Sequence, residues 1–271
     1  MSLVMHESRI DGTAFIAGRW PLDPDLPTVV FIHGSGGSSV LWRAQVEALA
    51  QRMNTVGLDL PGHGASGGGG MDCVEDYAAS VDAFVAAIEA PRPIPCGLSI
   101  GGAIVLRLLL DAPQKYTAGI LVNSGARLRV MPMIFEALEK DIEGFHKAAP
   151  AFSISEKTDP SAITPLSEAM AACPPAVTLG DFRACDSFDV MERVAEIEVP
   201  VLVLTASDDR MTPGKYGAYL ADRIERSYLV NIEDAGHLSP MEQPQAVTEA
   251  IAEFVAVDVG PDSHLHVVWT G

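Results

Sequence analysis

Residues 94–106 read Ile-Pro-Cys-Gly-Leu-Ser-Ile-Gly-Gly-Ala-Ile-Val-Leu, and this stretch decides the fold. A short apolar run precedes Ser99, and an apolar segment with small residues in its first turn follows it. Gly97 and Gly101 flank the serine, where glycine lets the backbone turn sharply without a Cβ clash. The pattern predicts a strand, a tight turn and a helix whose N-terminus points its partial positive charge at the serine. This is the context of a nucleophile elbow, so Ser99 is the predicted nucleophile.

The same Gly-x-Ser-x-Gly pattern occurs a second time, from Gly64 to Gly68. There Ser66 lies in a glycine-rich run, and no helix-like segment follows it. The bare pattern is a weak signal because it arises readily by chance. Its context therefore favours Ser99 over Ser66.

Outward from the elbow, short β-branched runs alternate with amphipathic stretches, which is typical of βαβ units around a parallel sheet. The runs are apolar throughout, as in strands buried on both faces. The predicted strands are Thr28–His33, Thr55–Asp59, Ile94–Leu98, Ala118–Asn123, Val201–Thr205 and Ser227–Ile232. The predicted helices are Leu41–Arg52, Cys73–Ala90, Ile100–Asp111, Pro213–Ile224 and Gln245–Val257. We expect an antiparallel hairpin before them, over Glu7–Phe15, that turns at Asp11-Gly12.

Residues 125–194 break this alternation because they lack strand-like runs. Apolar residues recur there at helical spacing, namely Ile134, Leu138, Ile142, Phe145 and Ala149. A second short helix is predicted from Thr164-Pro165 to Pro174-Pro175. A segment of about 70 residues is longer than a crossover needs. We therefore predict a core domain of residues 1–124 and 195–271, interrupted by a helical cap of residues 125–194.

A serine hydroxyl needs a base to take its proton, and the sequence offers seven histidines. His237 follows the last predicted strand, at the sheet edge where the elbow opens and where catalytic groups of such sheets gather. His237 is therefore the predicted base. The other six are predicted on solvent-facing positions, in glycine-rich loops or in the C-terminal tail; they are His6, His146, His33, His63, His264 and His266.

The third member must be a carboxylate that orients the imidazole. Asp208 and Asp209 both lie in the loop after the strand Val201–Thr205, which gives the chain order serine, acid, histidine. The spacing of four residues to Pro213 favours Asp209, and Asp208 stays an alternative. No acid follows the strand that ends at Asn123, the other place for this carboxylate.

The negative charge that develops on a carbonyl oxygen needs amide donors. One is predicted to be the N–H of Ile100, directly after the nucleophile. The other is expected from the glycine-rich loop that begins at His33-Gly34, where the N–H of Ser35 is favoured.

In combination these motifs resemble the α/β-hydrolase superfamily over about residues 12–256. The segments that carry the resemblance are His33–Gly37, Asp59–Gly64, Gly97–Gly102, Asp209–Pro213, Gly236-His237 and Glu242–Pro244. The resemblance implies a mostly parallel, eight-stranded sheet flanked by helices, with a helical cap inserted after the sixth strand.

Ser99 separates the chain from the branches that use an aspartate at the elbow, the epoxide hydrolases and haloalkane dehalogenases. Gly97-Leu98-Ser99 resembles the enol-lactonase branch. We expect a serine hydrolase, a carboxylesterase that cleaves esters of small to medium, moderately apolar substrates through an acyl-enzyme. The alternatives are a lactonase similar to 3-oxoadipate enol-lactonase, a carbon–carbon bond hydrolase with the same triad and, more remotely, a non-catalytic receptor or interaction protein on this fold.

The cap is expected to shape the substrate pocket. Candidate substrate-binding residues are Gly34, Met133, Phe135, Phe145 and Leu238, and further apolar candidates are Met131, Phe152 and Phe182. Packing against the core is an alternative role for each cap residue, because cap helices must bury one face. The cap has no basic cluster, which favours an uncharged substrate, but Arg127 and Arg129 leave an anionic substrate as an alternative.

Composition and charge limit the partners. Apolar residues make up 48% and charged residues 20%, as in a globular protein. A net charge of −18 disfavours binding to nucleic acid and to anionic membranes, so neither is expected as a partner. The expected partner is a small-molecule ester. The sequence leaves the oligomeric state open between a monomer and a homodimer. The first 18 residues do not resemble a signal peptide, and four scattered cysteines indicate a reduced, cytoplasmic protein. No Cys/His cluster has ligand spacing, so no metal site is expected. No cofactor is expected for this reaction either.

Overall fold

A single eight-stranded sheet lies at the centre of the computed structural model, which describes residues 5–258. Its strands are β1 (His6–Ile10), β2 (Thr13–Ala17), β3 (Thr28–Ile32), β4 (Asn54–Leu58), β5 (Pro93–Leu98), β6 (Gly119–Val122), β7 (Val201–Ala206) and β8 (Ser227–Ile232). The six strands predicted from apolar runs coincide with β3–β8 to within one residue at each end.

The strand order is β1-β2-β4-β3-β5-β6-β7-β8, and β3–β8 all run parallel. β1 and β2 form the predicted antiparallel hairpin, which turns at Asp11 and Gly12 with positive φ angles of 48° and 86°. The mostly parallel eight-stranded sheet implied by the sequence is therefore confirmed. Parallel strands place their carboxyl ends at one edge, so the loops after β3, β5, β7 and β8 meet there.

Helices cover both faces of the sheet. The flanking helices are α1 (Arg43–Leu49), α2 (Val74–Ala87), α3 (Ile100–Asp111), α9 (Lys215–Arg223) and α11 (Pro244–Asp258). Successive residues of β3 alternate between the two apolar layers: Val30 packs in the layer with α2, α3 and α9, and Val29 in the layer with α1 and α11. This two-residue period explains why the strands are apolar throughout. A four-residue helix, α10 (Ser239–Glu242), precedes α11.

Between β6 and β7 the described chain is helical. The helices are α4 (Pro132–Lys140), α5 (Ile142–Ala148), α6 (Pro150–Ser153), α7 (Thr164–Ala172) and α8 (Pro175–Ser187). The helical periodicity from Ile134 to Ala149 is broken at Asp141, because its carboxylate accepts from the N–H of Gly144 at 2.9 Å and so begins a new helix. The division into a core and a cap at residues 125 and 194 stays a prediction.

The helix predicted from Thr164-Pro165 to Pro174-Pro175 corresponds to α7, which ends at Ala172. The sequence did not predict the next helix, α8, which begins at Pro175 because proline fits the first turn, where an N–H has no partner. One other predicted helix boundary is wrong. The helix expected to begin at Thr212-Pro213 begins two residues later, at Lys215. The side chain of Thr212 instead donates to the carbonyl of Asn123 at 2.8 Å.

All four cysteines are free thiols. In the part of the chain that the structure describes, no helix is long and apolar enough to cross a membrane. His264 and His266 of the predicted tail lie outside the described residues.

Candidate active site

Ser99 lies at the junction of β5 and α3 with φ 58° and ψ −119°. A positive φ is uncommon for a residue other than glycine and marks a sharply turned backbone. The turn needs its two glycines: a Cβ at Gly97 would lie 2.1 Å from the Gly101 carbonyl carbon, and one at Gly101 would lie 2.5 Å from the Ile32 oxygen. The strand, tight turn and helix predicted for the elbow are therefore present, with Ser99 half-buried at the tip.

Ser66 has a different environment. Its hydroxyl donates to the Asp59 carbonyl at 2.7 Å and accepts from the N–H of Ala14 at 2.8 Å. The first bond lies within the loop after β4, and the second joins that loop to β2. Ser66 thus fastens two pieces of backbone, and no helix begins behind it.

Asp209 and His237 are joined by a hydrogen bond of 2.9 Å between Oδ2 and Nδ1. Both residues are buried. Burial alone raises the pKa of Asp209, but the charge and hydrogen bond of His237 and the donors of Thr212 lower it more, so this pKa lies below its usual value. Asp209 is thus held as a carboxylate against the imidazole.

Asp208, the alternative acid, faces away from His237. Its carboxylate accepts from the hydroxyls of Ser155 and Ser207. Of the two aspartates in this loop, the structure brings Asp209 to the histidine.

The His237 loop is held by residues that the sequence analysis did not select. Asn123, at the end of β6, donates from Nδ2 to the carbonyls of Gly236 (3.2 Å) and His237 (2.9 Å). The N–H of His237 donates to the carbonyl of Ser153 at 2.7 Å, which ties the loop to α6. Glu242 accepts from the N–H groups of Gly236 and Leu238. Two features of the sequence could have identified them: Asn123 directly follows a predicted strand, and Glu242 belongs to the Glu-Gln-Pro motif.

Ser99 and His237 border the same cavity. Within residues 5–258 no hydrogen bond joins the Ser99 hydroxyl to the imidazole. Such bonds are often long in enzymes without a substrate and shorten when one binds. Since Nδ1 of His237 bonds to Asp209, Nε2 is the ring nitrogen available to accept the serine proton.

The predicted amide donors are Ser35, which follows Gly34 in the chain, and Ile100, which follows Ser99. Ser35 borders the cavity, and a Cβ at Gly34 would lie 3.6 Å from that of Ser99, so the two loops touch. Ile100 is the first residue of α3, where an N–H has no partner within the helix. Neither amide donates to another group of the described chain, which leaves both for a ligand oxygen.

None of the other described histidines contacts Asp209. His33 is fully buried, donates from Nδ1 to the Gly34 carbonyl and accepts at Nε2 from the N–H of Leu60. Burial, together with the nearby charge of His63, lowers the pKa of His33 to about 4, so it stays neutral. His6 stacks on the ring of Trp20. His146 is half-buried and not solvent-facing as predicted, because α5 turns its ring against the protein.

The cavity has a volume of about 920 Å³, a value that includes its opening. Its lining is predominantly apolar. The apolar side chains that border it include Leu41, Leu98, Leu128, Val130, Phe145, Phe152, Leu166, Met170, Phe182, Met211 and Leu238. The predicted substrate-binding residues Gly34, Phe145 and Leu238 all border it.

Met133 and Phe135 do not border the cavity, so their selection as substrate-binding residues is corrected. Met133 lies in the first turn of α4 and is 65% exposed to solvent. Phe135 packs in a small apolar cluster with Leu138 and Phe182, between α4 and α8. Helical spacing identifies a buried face but does not show whether that face meets a cavity or another helix.

The lining residues Met170, Met211 and Tyr216 were missed. Met211 follows the acid loop directly and could have been found from that position. Met170 had no comparable signal. No group of three or more His, Cys, Asp or Glu side chains in residues 5–258 is placed to hold a metal ion.

The elbow, the aspartate–histidine pair and the parallel sheet together define a protein of the α/β-hydrolase class. A model of the alpha/beta hydrolase family matches residues 29–250, so the chain belongs to that family.

Three comparisons show what the chain is similar to. It is 27% identical to the putative carbamate hydrolase RutD of Agrobacterium fabrum, over 86% of this chain and 94% of that protein. It is 25% identical to 3-oxoadipate enol-lactonase 2 of Acinetobacter baylyi, over 84% of this chain and 88% of that one. Among solved structures, a thermophilic esterase matches with a TM-score of 0.77 and 28% identity, over 93% of this chain and 97% of that one. The family and these relatives support hydrolytic chemistry.

Proposed function

We propose that this protein is a serine hydrolase that cleaves carboxylic esters of small to medium, moderately apolar substrates. The observation that carries the proposal is the Asp209–His237 hydrogen bond of 2.9 Å beside a cavity that Ser99 borders from a sharply turned elbow. The apolar lining favours an apolar acyl or alcohol group over a strongly charged one. Similarity to an esterase of known structure supports the same reaction.

In the first half-reaction, Nε2 of His237 takes the Ser99 proton as Oγ attacks the ester carbonyl carbon. The carbonyl oxygen becomes an oxyanion, which accepts from the N–H groups of Ser35 and Ile100. The bond to the alcohol oxygen then breaks, and His237 gives its proton to the departing alcohol. Asp209 holds the imidazole in orientation and stabilises its charged form.

In the second half-reaction, His237 takes a proton from water as the water oxygen attacks the acyl-enzyme carbonyl. The same two amides hold the second oxyanion. The bond to Ser99 Oγ then breaks, Oγ recovers a proton from His237, and the carboxylic acid leaves. The reaction requires no cofactor, and we propose none.

We further propose that residues 125–194 form a cap on the core of residues 1–124 and 195–271. Side chains of α5, α7 and α8 border the cavity opposite the elbow, among them Phe145, Leu166 and Phe182. We propose a cytoplasmic protein, monomeric or homodimeric, with no nucleic-acid or membrane partner, consistent with its net charge of −18.

The test is Ser99→Ala, assayed on a series of p-nitrophenyl esters and by covalent labelling with a fluorophosphonate. We expect loss of measurable turnover and of labelling. The matched control is Ser66→Ala, in the second Gly-x-Ser-x-Gly stretch, which should hydrolyse and label like the wild type. Full esterase activity in Ser99→Ala would overturn the proposal. A wild-type protein that does not label would instead favour a non-catalytic receptor.

A lactonase is the second candidate, because the chain is similar to an enol-lactonase and to a solved N-acyl homoserine lactone degrading enzyme at 25% identity. The same steps would open a ring, with the leaving alcohol still attached to the acyl group. Measuring kcat/KM for lactones, linear esters and vinylogous diketones on one enzyme preparation separates esterase, lactonase and carbon–carbon hydrolase.

A further inference from the structure

A buried carboxylate outside the proposed triad connects four parts of the molecule. Asp181, in α8, is fully buried. Its Oδ2 accepts from the N–H of Gly36 at 2.7 Å and from Nε2 of His63 at 2.8 Å, and its Oδ1 accepts from the hydroxyl of Tyr77 at 2.5 Å. One side chain therefore joins α8 to the loop after β3, to the loop after β4 and to α2.

The hydrogen-bond pattern sets the charges of this cluster. Nδ1 of His63 lies 3.1 Å from the Pro61 carbonyl, which can only accept, and Nε2 faces the carboxylate. An acceptor thus lies beside each ring nitrogen, an arrangement that favours the doubly protonated form of His63. The Tyr77 hydroxyl accepts from the N–H of Met71 at 3.0 Å, which leaves its proton for Asp181. The Asp181 carboxyl group is thus surrounded by three donors, and His63 is the basic side chain that faces it.

The contact with Gly36 fixes the peptide that follows Ser35. The Ser35–Gly36 peptide is planar, so holding the Gly36 N–H also holds the Ser35 carbonyl and restricts the backbone of Ser35. Gly36 has a φ of +64°, which a residue other than glycine rarely adopts. The neighbouring bond from Gly37 N–H to the Gly34 carbonyl, at 3.1 Å, closes the turn but does not orient it against α8.

We propose that Asp181 is a positioning residue, which aims the Ser35 amide at the substrate oxyanion by holding the Gly36 N–H. The inference rests on the proposed function, because it assigns Ser35 as an oxyanion donor. It concerns a residue that does not border the cavity and does not touch the reacting atoms.

The same helix also forms a wall of the cavity. Phe182 and Cys185 border it, and Sγ of Cys185 lies 3.8 Å from the Ser35 hydroxyl. One helix, α8, therefore carries both part of the cavity wall and the carboxyl group that accepts from the Gly36 N–H.

The experiment compares Asp181→Leu and Asp181→Ala with Tyr77→Phe, each normalised by fluorophosphonate titration of active Ser99. Neither leucine nor alanine can accept from the Gly36 N–H, whereas the amide oxygen of asparagine still could. Tyr77→Phe is the matched control, since it removes one buried donor to the same carboxylate but leaves the Gly36 contact. For the Asp181 variants we expect kcat per titrated site to fall by about 10- to 100-fold, less than the loss of a whole oxyanion donor. KM should change by less than about threefold, because the amide acts on the transition state.

A second measurement separates positioning from folding. An alkyl boronic acid that forms a tetrahedral adduct with Ser99 places an oxygen at the two amides. Its inhibition constant should weaken in the Asp181 variants by about the factor lost in kcat/KM, and should stay near the wild-type value in Tyr77→Phe.

A purely structural role predicts fewer titratable sites with unchanged kcat per site, and that result would overturn the proposal. So would equal losses in Tyr77→Phe and Asp181→Leu. Should Asp181→Ala fail to fold, Asp181→Leu, which keeps the approximate size of the side chain but has no acceptor for the Gly36 N–H, decides the question. A wild-type enzyme whose Ser99 does not titrate would show that the proposed function itself has failed, which is a distinguishable outcome.

Discussion

Oδ2 of Asp209 lies 2.9 Å from Nδ1 of His237, although 28 positions separate the two residues in the chain. The contact forms because β7 and β8 are parallel neighbours, which places the loops after both strands at the same edge of the sheet. The N–H groups of Met211 and Thr212 hold the other carboxylate oxygen, Oδ1. The aspartate is thus oriented by its own loop before it orients the histidine.

Asp209→Asn is expected to lower kcat by about 10³- to 10⁴-fold, because an amide NH₂ facing Nδ1 favours the wrong imidazole tautomer. Binding of an ester substrate should change little, since Asp209 does not border the cavity. Steady-state kinetics on a p-nitrophenyl ester give both parameters.

Asp208→Asn is the matched control for that substitution. It makes the same chemical change one residue earlier, at a carboxylate that bonds Ser155 and Ser207. We expect kcat within about threefold of the wild type, as for a surface change away from the reacting groups. A larger loss in Asp208→Asn than in Asp209→Asn would reverse the assignment of the acid.

Gly97→Ala is expected to disrupt the elbow. Its Cβ would lie 2.1 Å from the Gly101 carbonyl carbon, so the backbone of the turn would have to shift at a large cost in free energy. We expect loss of activity together with a destabilisation of several kcal/mol, roughly the upper range for single substitutions. Urea denaturation measures the change. Gly69→Ala, in a glycine run with nothing within 4 Å of the new Cβ, should leave stability and activity close to the wild type.

Phe145→Leu tests the proposed wall of the substrate cavity. The smaller side chain makes room beside Phe152 and Phe182, so longer acyl or alcohol chains should gain relative to shorter ones. We expect the ratio of kcat/KM for long over short esters to rise by about tenfold, the value of one to two methylenes. Met133→Leu, on the exposed side of α4, should not change the ratio. An unchanged ratio in Phe145→Leu as well would place the substrate elsewhere.

The sheet could be predicted because its signals are local. Each parallel strand is a short apolar run, and the turn at Ser99 carries its own glycines. The helices between β6 and β7 were predicted less well. The break at Asp141 depends on a single capping contact. The start of α8 was missed because proline can either end a helix or occupy its first turn, and the sequence pattern did not distinguish these roles at Pro175. Helical spacing could not separate Phe145, which belongs to an apolar cluster and also borders the cavity, from Phe135, which packs against the same cluster but does not border the cavity.

Of the site, sequence reasoning selected residues in the turns and loops that follow strands, since topology alone brings these segments together. Ser99, Asp209 and His237 are of this kind. Asp181 could not be found in that way, because it reaches Gly36 across 145 positions and sits in the middle of a helix. The sequence analysis did name its partner His63, but only as a histidine in a glycine-rich loop. Contacts of this type depend on how α8 packs on the sheet, which no local pattern encodes.

The pair of Asp181 and His63 should make stability depend on pH above neutrality. Burial lowers the pKa of His63, but the hydrogen bond and charge of Asp181, with the more distant charge of Asp59, raise it more, so the net pKa lies above 6.5. The group facing it from the other side, His33, stays neutral. A raised folded-state pKa contributes stability that is fully present below the unfolded value and is lost as pH rises through the folded value.

The free energy of unfolding of the wild type should therefore fall, relative to Asp181→Asn, as pH rises from about 6 to about 9. Urea denaturation at a series of pH values measures the difference between the two proteins. Asp222→Asn, which removes an exposed carboxylate next to Arg223, should run parallel to the wild type over the same range. A constant difference between the wild type and Asp181→Asn would show that His63 does not lose its proton in this window, and that the buried pair contributes through packing and hydrogen bonds alone.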